Sequence, residues 1–390
     1  MVEVAAYPFI LASARDVHVA RGLHRVVTAS SPDDLSSRAR HVLAQNAGAP
    51  PVIVGALPFR ATYPARLYQP EQWTRPLPST SPDRRLWPSV AVSSRAPRRW
   101  TVNEVPSRAG YEQAVATALD HLRDERHLRK VVLARTLEVT ADADIDAARV
   151  FAQLCADKAV TAFSVPLPPA ADGHRRVMIG ATPELLAARH GLRVSSRPLA
   201  GSAKRRADAV ADREAAEELA RSPKDLREHA TVVEWIADRL APRCRTLTVP
   251  RSPSLVSTAS MWHLGSTIEG TLRDPDVTAL DIALDLHPTP AVCGTPFGPA
   301  LDLIGKLEPF ERAYYSGAVG WTDANGDGEW HVAIRCAEIS GRSARLFAGA
   351  GIVAGSDPAK EAAETAAKFT ALRTALGIDD HAAVSTGVAP

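Results

Sequence analysis

Asp225 and Glu228 stand three residues apart, and so do Glu361 and Glu364. Residues at that spacing share one face of a helix. Each pair follows a helix-start signal, Ser222-Pro223 before the first and Asp357-Pro358 before the second. If the two helix starts meet in the fold, their carboxylates converge. Like charges packed together repel, and a cation relieves the repulsion. Oxygen donors without Cys or His nearby suit a hard ion such as Mg²⁺. The same residues have an ordinary use. Asp225 falls three residues after Ser222, close to a capping box. Glu228 stands four residues from Lys224, and Glu364 four from Lys368, the spacing of ion pairs on a helix surface. Acids also favour the first turn of a helix through its dipole. Spacing alone leaves both readings open.

Other residues carry potential chemistry one at a time. Lys130 opens the run KVVLARTLEVT. A lysine at a strand end ordinarily faces solvent, whereas one buried near the acids can act as a general base. Glu184, in Ala181-Thr182-Pro183-Glu184-Leu185-Leu186, follows a strand end and a turn, where a helix-start acid is equally at home. Gly349-Ala350-Gly351 either lets backbone N–H groups approach an anion or bends a strand tightly. Arg335 sits inside HVAIRC, a predicted strand, on the face opposite Ile334 and Cys336. From there it meets solvent or grips a carboxylate in a two-pronged contact. His263 reads as a core histidine. Asp323 to Gly328 looks like the start of a calcium loop, but the twelfth position is Ile334 where a Glu is required. A polar hairpin turn is the better fit.

Elements must carry these residues, and the sequence places several. Pro51–Phe59 reads as a buried strand, and Tyr63 to Arg99, rich in Pro, Arg and Ser, as long surface loops. Tyr111–Arg129 is a predicted helix followed by the strand Lys130–Thr140. Val177–Ile179 and Leu192–Ser202 are further predicted strands, the second ending in a Gly turn. Asp212–Arg221 and Pro223–Leu240 are helices split at Ser222-Pro223, the second with Leu226, Ala230, Val233, Ile236 and Leu240 as its apolar stripe. Ala318–Trp321 and Glu329–Cys336 flank the hairpin turn. Arg345–Val353 is a strand with a Gly-rich exit, and Pro358–Leu376 a helix stopped by Gly377. Clustered strands and helices without strict alternation indicate an α+β fold.

The chain has 390 residues, 45% of them hydrophobic, enough for a large core. A net charge of +2 gives no electrostatic case for nucleic acid or an anionic membrane. Cys155, Cys244, Cys293 and Cys336 lie far apart without a CxxC, as expected of reduced, buried thiols. No signal peptide is evident, and no apolar run reaches the roughly 18 residues of a membrane span.

Taken in order, KVVLAR (Lys130–Arg135), GATPELL (Gly180–Leu186), PLAGSAKRR (Pro198–Arg206), KDLREH (Lys224–His229), WHLGSTIEG (Trp262–Gly270), HPTPAVCGTP (His287–Pro296), LEPFERAYYSGAVGW (Leu307–Trp321), EWHVAIRCA (Glu329–Ala337), LFAGAGIV (Leu346–Val353) and ETAAK (Glu364–Lys368) resemble the chorismate-utilising enzymes, and within them the isochorismate synthases. The resemblance covers about residues 110–375. It implies a single large chorismate-binding, anthranilate-synthase-like α+β domain, with two lobes of β-sheet wrapped by helices. Residues 1–105 would be the N-terminal part of the same unit, 106–378 the catalytic core and 379–390 a disordered tail.

By position, the resemblance assigns Lys130 as the base that activates water and Glu184 as the acid. Glu228 and Glu364 would bind Mg²⁺, with Asp225 and Glu361 reaching it through water. Arg335, Tyr315, Gly349, Gly351 and Lys368 would hold the enolpyruvyl carboxylate of chorismate, and Gly201, Ser202, His263 and Ala291 the ring. The implied reaction is Mg²⁺-dependent isomerisation to isochorismate, for menaquinone or siderophore synthesis. A salicylate synthase, which goes on to eliminate pyruvate, is the alternative, and a non-catalytic chorismate-binding regulator a third reading. Anthranilate synthases lack a lysine at the Lys130 position. Aminodeoxychorismate synthases carry a nucleophilic lysine where this chain has Ala200, and tend to have Thr at Ala291. Those differences imply water as nucleophile and no glutaminase subunit. A cytoplasmic monomer is expected.

Overall fold

In the computed structural model, residues 7–378 are described except 30, 32–33, 46–47, 79–96, 125–127 and 171. The expected disordered tail lies outside them. Three sheets, all with antiparallel pairing among the described residues, form the framework. The first has ten strands and runs Gly294–Thr295, Lys130–Ala141, Ser343–Val353, Cys336–Ser340, Arg176–Thr182, Thr161–Leu167, Phe9–Ala12, Asp16–Arg21 and Gln72–Pro78, with Trp100–Val105 also paired to Lys130–Ala141. The second has nine, in the order Cys244–Thr248, Ile268–Leu272, Arg193–Arg197, Leu185–His190, Gly328–Val332, Ala318–Asp323, Val52–Leu57, Arg66–Gln69 and Arg25–Val26. The third is a small sheet of Leu199–Lys204, Met261–Gly265 and Ser254–Ser257.

The spine of the first sheet is the pairing of Lys130–Ala141 with Ser343–Val353, in register from Lys130 opposite Val353 to Thr140 opposite Ser343. Lys130–Ala141 is almost continuously buried, as a strand covered on both faces requires, while Ser343–Val353 alternates between buried and partly exposed positions toward its ends. Helices Arg108–Asp124 and Pro358–Leu376 pack beside it. Arg135 joins the last of these to the sheet: its Nε donates to Thr365 Oγ1 at 2.9 Å and its Nη2 to the Ala362 carbonyl at 3.3 Å, while Nη1 ion-pairs with Glu104 at 3.1 Å.

Several expectations need correction. Leu192–Ser202 is not one strand. Arg193–Arg197 belongs to the nine-stranded sheet and Leu199–Lys204 to the small one, divided at Pro198, which has no N–H for a ladder. Within the stretch expected to be loop, Arg66–Gln69 and Gln72–Pro78 are strands, and 79–96 lies outside the described residues. Gln72–Pro78 is the edge strand of the ten-stranded sheet, paired only with Asp16–Arg21, and an edge strand tolerates its two prolines. The helix starting at Pro223 buries His229, Val232, Val233, Ile236 and Leu240, while Ala230 is exposed, so its stripe is rotated from the expected one. The hairpin turn stands: Asp323 Oδ1 accepts the N–H groups of Asn325 and Asp327 at 2.9 and 3.0 Å. All four cysteines are free and buried. Among the described residues no helix is long and apolar enough to cross a membrane.

Candidate active site

The two acidic helix starts face one cavity, of about 90 Å³. Ser222 caps the first through its hydroxyl, which accepts the Asp225 N–H at 3.3 Å, and Asp357 caps the second by accepting the Lys360 N–H at 3.0 Å. Asp225, Glu228, Glu361 and Glu364 all line the cavity, with Glu184, Gly201, Ser202, His263, Ala291, Tyr315, Arg335, Gly349, Gly351 and Lys368. Lys130, the remaining site residue expected from sequence, lies immediately behind this wall. Its Nζ is 2.9 Å from Glu228 Oε1, yet finds no partner at hydrogen-bonding angles.

Three lysines meet three of the acids. Lys130 pairs with Glu228, Lys224 with Glu361 at 2.9 Å, and Lys368 with Glu364 at 2.6 Å. The within-helix pair of Lys368 and Glu364 follows its sequence spacing. The pair expected between Lys224 and Glu228 does not form: Lys224 instead crosses from one acid helix to the other. Lys224 is thus a site residue that helical spacing misassigned, because sequence distance says nothing about a partner 137 residues away.

Burial raises the Asp225 carboxyl above its usual range, and Glu228 adds to the effect. Burial likewise raises Glu361, reinforced by Glu364 and opposed by Lys224. Glu364 is half-buried, and Lys368 and the Ser202 hydroxyl, donating at 2.9 Å, hold it below the usual range against that burial. Burial is the larger cause of the two upward shifts, and repulsion between neighbouring acids adds to it. Among the described residues, no three His, Cys, Asp or Glu side chains are already drawn together as a ligand cage. The all-oxygen donor set on two helix starts nonetheless fits a hard divalent cation.

Glu184 is held differently. It is 3% exposed, and burial pushes its carboxyl up to about 8, against the pull of the Leu199 N–H and of Lys130. It therefore carries a proton at neutral pH. Its backbone is fixed by Thr182 Oγ1, which accepts the Glu184 N–H at 3.2 Å, and by Val332 N–H, which donates to its carbonyl at 3.1 Å.

Gly201 forms a bulge opposite Leu264 and His263, with φ at +79°. A glycine is suited to that conformation, and the bulge re-aims the next residue, Ser202, at Glu364. Arg335 departs from the expected alternation. The strand ends at Val332, and Arg335 has φ of +52°. Its guanidinium Nη2 is 3.4 Å from His263 Nε2. Since arginine only donates, Nε2 accepts and Nδ1 carries the histidine's proton. Burial, then the charges of Arg335 and Lys368, keep His263 neutral. Gly349 and Gly351 lie inside a strand rather than in an exit from it. Past Leu346 the pairing with Cys336–Ser340 has ended, so one edge of this stretch is open, and Lys368 Nζ donates to the Gly349 carbonyl at 2.7 Å. Tyr315 stacks on Phe347 with ring centres 4.8 Å apart.

Two acidic helix starts, a buried carboxyl and the cationic side chains of Arg335 and Lys368 thus border one cavity. Residues 84–377 match the family described as chorismate binding enzyme, and the chain belongs to that family. It is an enzyme fold with named counterparts. Isochorismate synthase DhbC of Bacillus subtilis (strain 168) is 42% identical over 95% of this chain and 94% of its own. The crystal structure of DhbC from Bacillus anthracis superposes with a TM-score of 0.88 at 38% identity, covering 97% of this chain and 98% of that one. MenF, the menaquinone-specific isochorismate synthase of Escherichia coli, superposes with a TM-score of 0.78 at 27% identity, covering 95% and 88%.

Proposed function

We propose that this protein converts chorismate to isochorismate. The observation that carries the reading is the place of Glu184: a carboxyl 3% exposed, pushed up to about 8 by burial, lining the same cavity as the cationic Arg335 and Lys368. Hydroxide is a poor leaving group and departs from C4 only with a proton, and the donor we assign is Glu184. Water is a poor nucleophile and attacks C2 only as it loses a proton; the base we assign is Lys130, whose Nζ sits behind the cavity wall, 2.9 Å from Glu228, and would have to leave that pair to reach the water. Arg335 and Lys368 grip carboxylate charge, with Tyr315 and the open strand edge at Gly349 and Gly351 beside them. Gly201, Ser202, His263 and Ala291 border the ring.

Asp225, Glu228, Glu361 and Glu364 are the residues that would hold Mg²⁺. A bound ion would neutralise a substrate carboxylate and orient the ring. The relatives' names support isochorismate as the product, which menaquinone or siderophore synthesis would consume. The deciding experiment incubates purified protein with chorismate and Mg²⁺ and resolves the products by chromatography. Isochorismate alone is expected. Salicylate with pyruvate would replace this reading by the salicylate synthase one, and unchanged chorismate would overturn it.

A further inference from the structure

The strand that begins at Lys130 has an incomplete neighbour along one edge. Gly294–Thr295 pairs with it at Val131 and Lys130, and Cys293 accepts the Val132 N–H at 2.8 Å. Trp100–Val105 pairs with it again from Thr136 onward. Alternate residues of a strand direct their N–H and C=O to the same edge, so the Val132 carbonyl and the Ala134 N–H fall in the gap between these two partners. Both are taken by side chains. Arg312 Nη2 donates to the Val132 carbonyl at 2.8 Å, and Glu308 Oε1 accepts the Ala134 N–H at 2.8 Å.

Glu308 and Arg312 also hold each other. Arg312 Nε donates to Glu308 Oε2 at 2.8 Å, and a second contact joins Nη2 to Oε1. Both side chains are almost fully buried. Arg312 Nη1 donates to the Val292 carbonyl at 2.8 Å, in the loop that presents Ala291 to the cavity. Its guanidinium lies over the Phe59 ring at 4.3 Å, and its own carbonyl accepts the Tyr315 N–H at 2.8 Å. The guanidinium therefore ties the turn that carries Tyr315 to two pieces of the cavity wall distant in sequence, at Val132 and Val292.

We propose that the Glu308–Arg312 pair is a positioning device that stands in for the missing stretch of neighbouring strand. It fixes the segment following Lys130 against the loop of Ala291 and Val292 and the turn of Tyr315. Its consequence for turnover rests on the isochorismate synthase reading; its consequence for the strand edge does not. A lysine at position 312 keeps the charge but has one nitrogen, which cannot serve Glu308, Val132 and Val292 together.

The test compares Arg312→Lys with the unaltered protein in three measurements. Amide hydrogen exchange is expected to speed up at least tenfold at Val131–Arg135 and Ala291–Cys293, with no change at the distant strands Thr161–Leu167 and Arg176–Thr182. The kcat on chorismate is expected to fall at least tenfold in protein that remains folded by circular dichroism. Glu308→Gln, whose amide oxygen still accepts the Ala134 N–H, is expected to lose less than Arg312→Lys in both measurements, and to carry the test if Arg312→Lys does not fold. Unchanged exchange in those two segments would overturn the strand-edge role. Faster exchange with kcat intact would overturn the positioning role. Absence of turnover in the unaltered protein would sink the isochorismate reading alone, since the exchange result is read without substrate.

Discussion

A single carboxyl decides whether this cavity can run acid catalysis at neutral pH, and burial is what sets it. Glu184 has a folded-state value of about 8, against 4.5 for a free side chain. Above about pH 8 it loses its proton, so kcat/KM is expected to fall with rising pH through that value. Stability follows the same shift. Between 4.5 and about 8 the folded protein keeps a proton that the unfolded chain has released. Stability therefore declines as pH rises through this window, by up to roughly 1.4 kcal/mol per pH unit from this group. Glu184→Gln removes the slope, because an amide has no proton to lose. The variant is expected to be more stable than the unaltered protein at pH 8, by urea titration, and slower on the order of 10²-fold or more. Equal activity would take the acid's role from Glu184. Equal stability at pH 8 would mean that its proton is not held as burial dictates.

At the scale of elements, the closest approach in the site is between a strand and a helix. A methyl group on Gly351 would sit 2.5 Å from Glu228 Oε1 and 2.9 Å from Lys130 Cε. Gly351→Ala is expected to preserve the strand pairing, since its backbone conformation is ordinary, but to push Glu228 away from Lys130. A displacement of about 1 Å costs on the order of 10²-fold in rate, which steady-state kinetics on folded protein would register; full activity would show that this contact is dispensable. The same elements explain what the sequence could and could not convey. Caps, Pro at the first helical position and Gly377 mark helix ends through local chemistry, so both acid helices were legible almost to the residue. The strand of Lys130 was legible from its β-branched run. Arg335 was misplaced because alternation assumes an unbroken strand, and a positive φ is invisible to a pattern of two. Lys224 was misassigned because its partner is chosen by the meeting of two helices, not by its own. Glu308 and Arg312 gave no signal beyond ordinary i,i+4 spacing, and only the gap in the sheet edge reveals their use.

For the whole molecule, the cavity is a seam. The helix from Pro223 leans on the small sheet at Leu199–Lys204, while the helix from Pro358 leans on the ten-stranded sheet at Ser343–Val353. Their carboxylates are the facing banks; Lys224, hydrogen-bonded and ion-paired to Glu361, and Ser202, donating to Glu364, join one bank to the other. A cation bound between them would link the two sheets and so act on the stability of the fold. An ion that binds only the folded state stabilises it by about 2.7 kcal/mol at a concentration 100 times its dissociation constant. Mg²⁺ is therefore expected to raise the thermal midpoint by several degrees without any substrate present, and EDTA to reverse the rise along with turnover. Glu228→Gln combined with Glu364→Gln should abolish the Mg²⁺ response. That variant also leaves Lys130 and Lys368 without their carboxylates, so its midpoint in EDTA need not match the unaltered protein's; only the Mg²⁺-dependent increment is diagnostic. An unaltered protein whose midpoint ignores Mg²⁺ would show that the lysines alone balance these acids, and that the two helix starts meet for structural reasons.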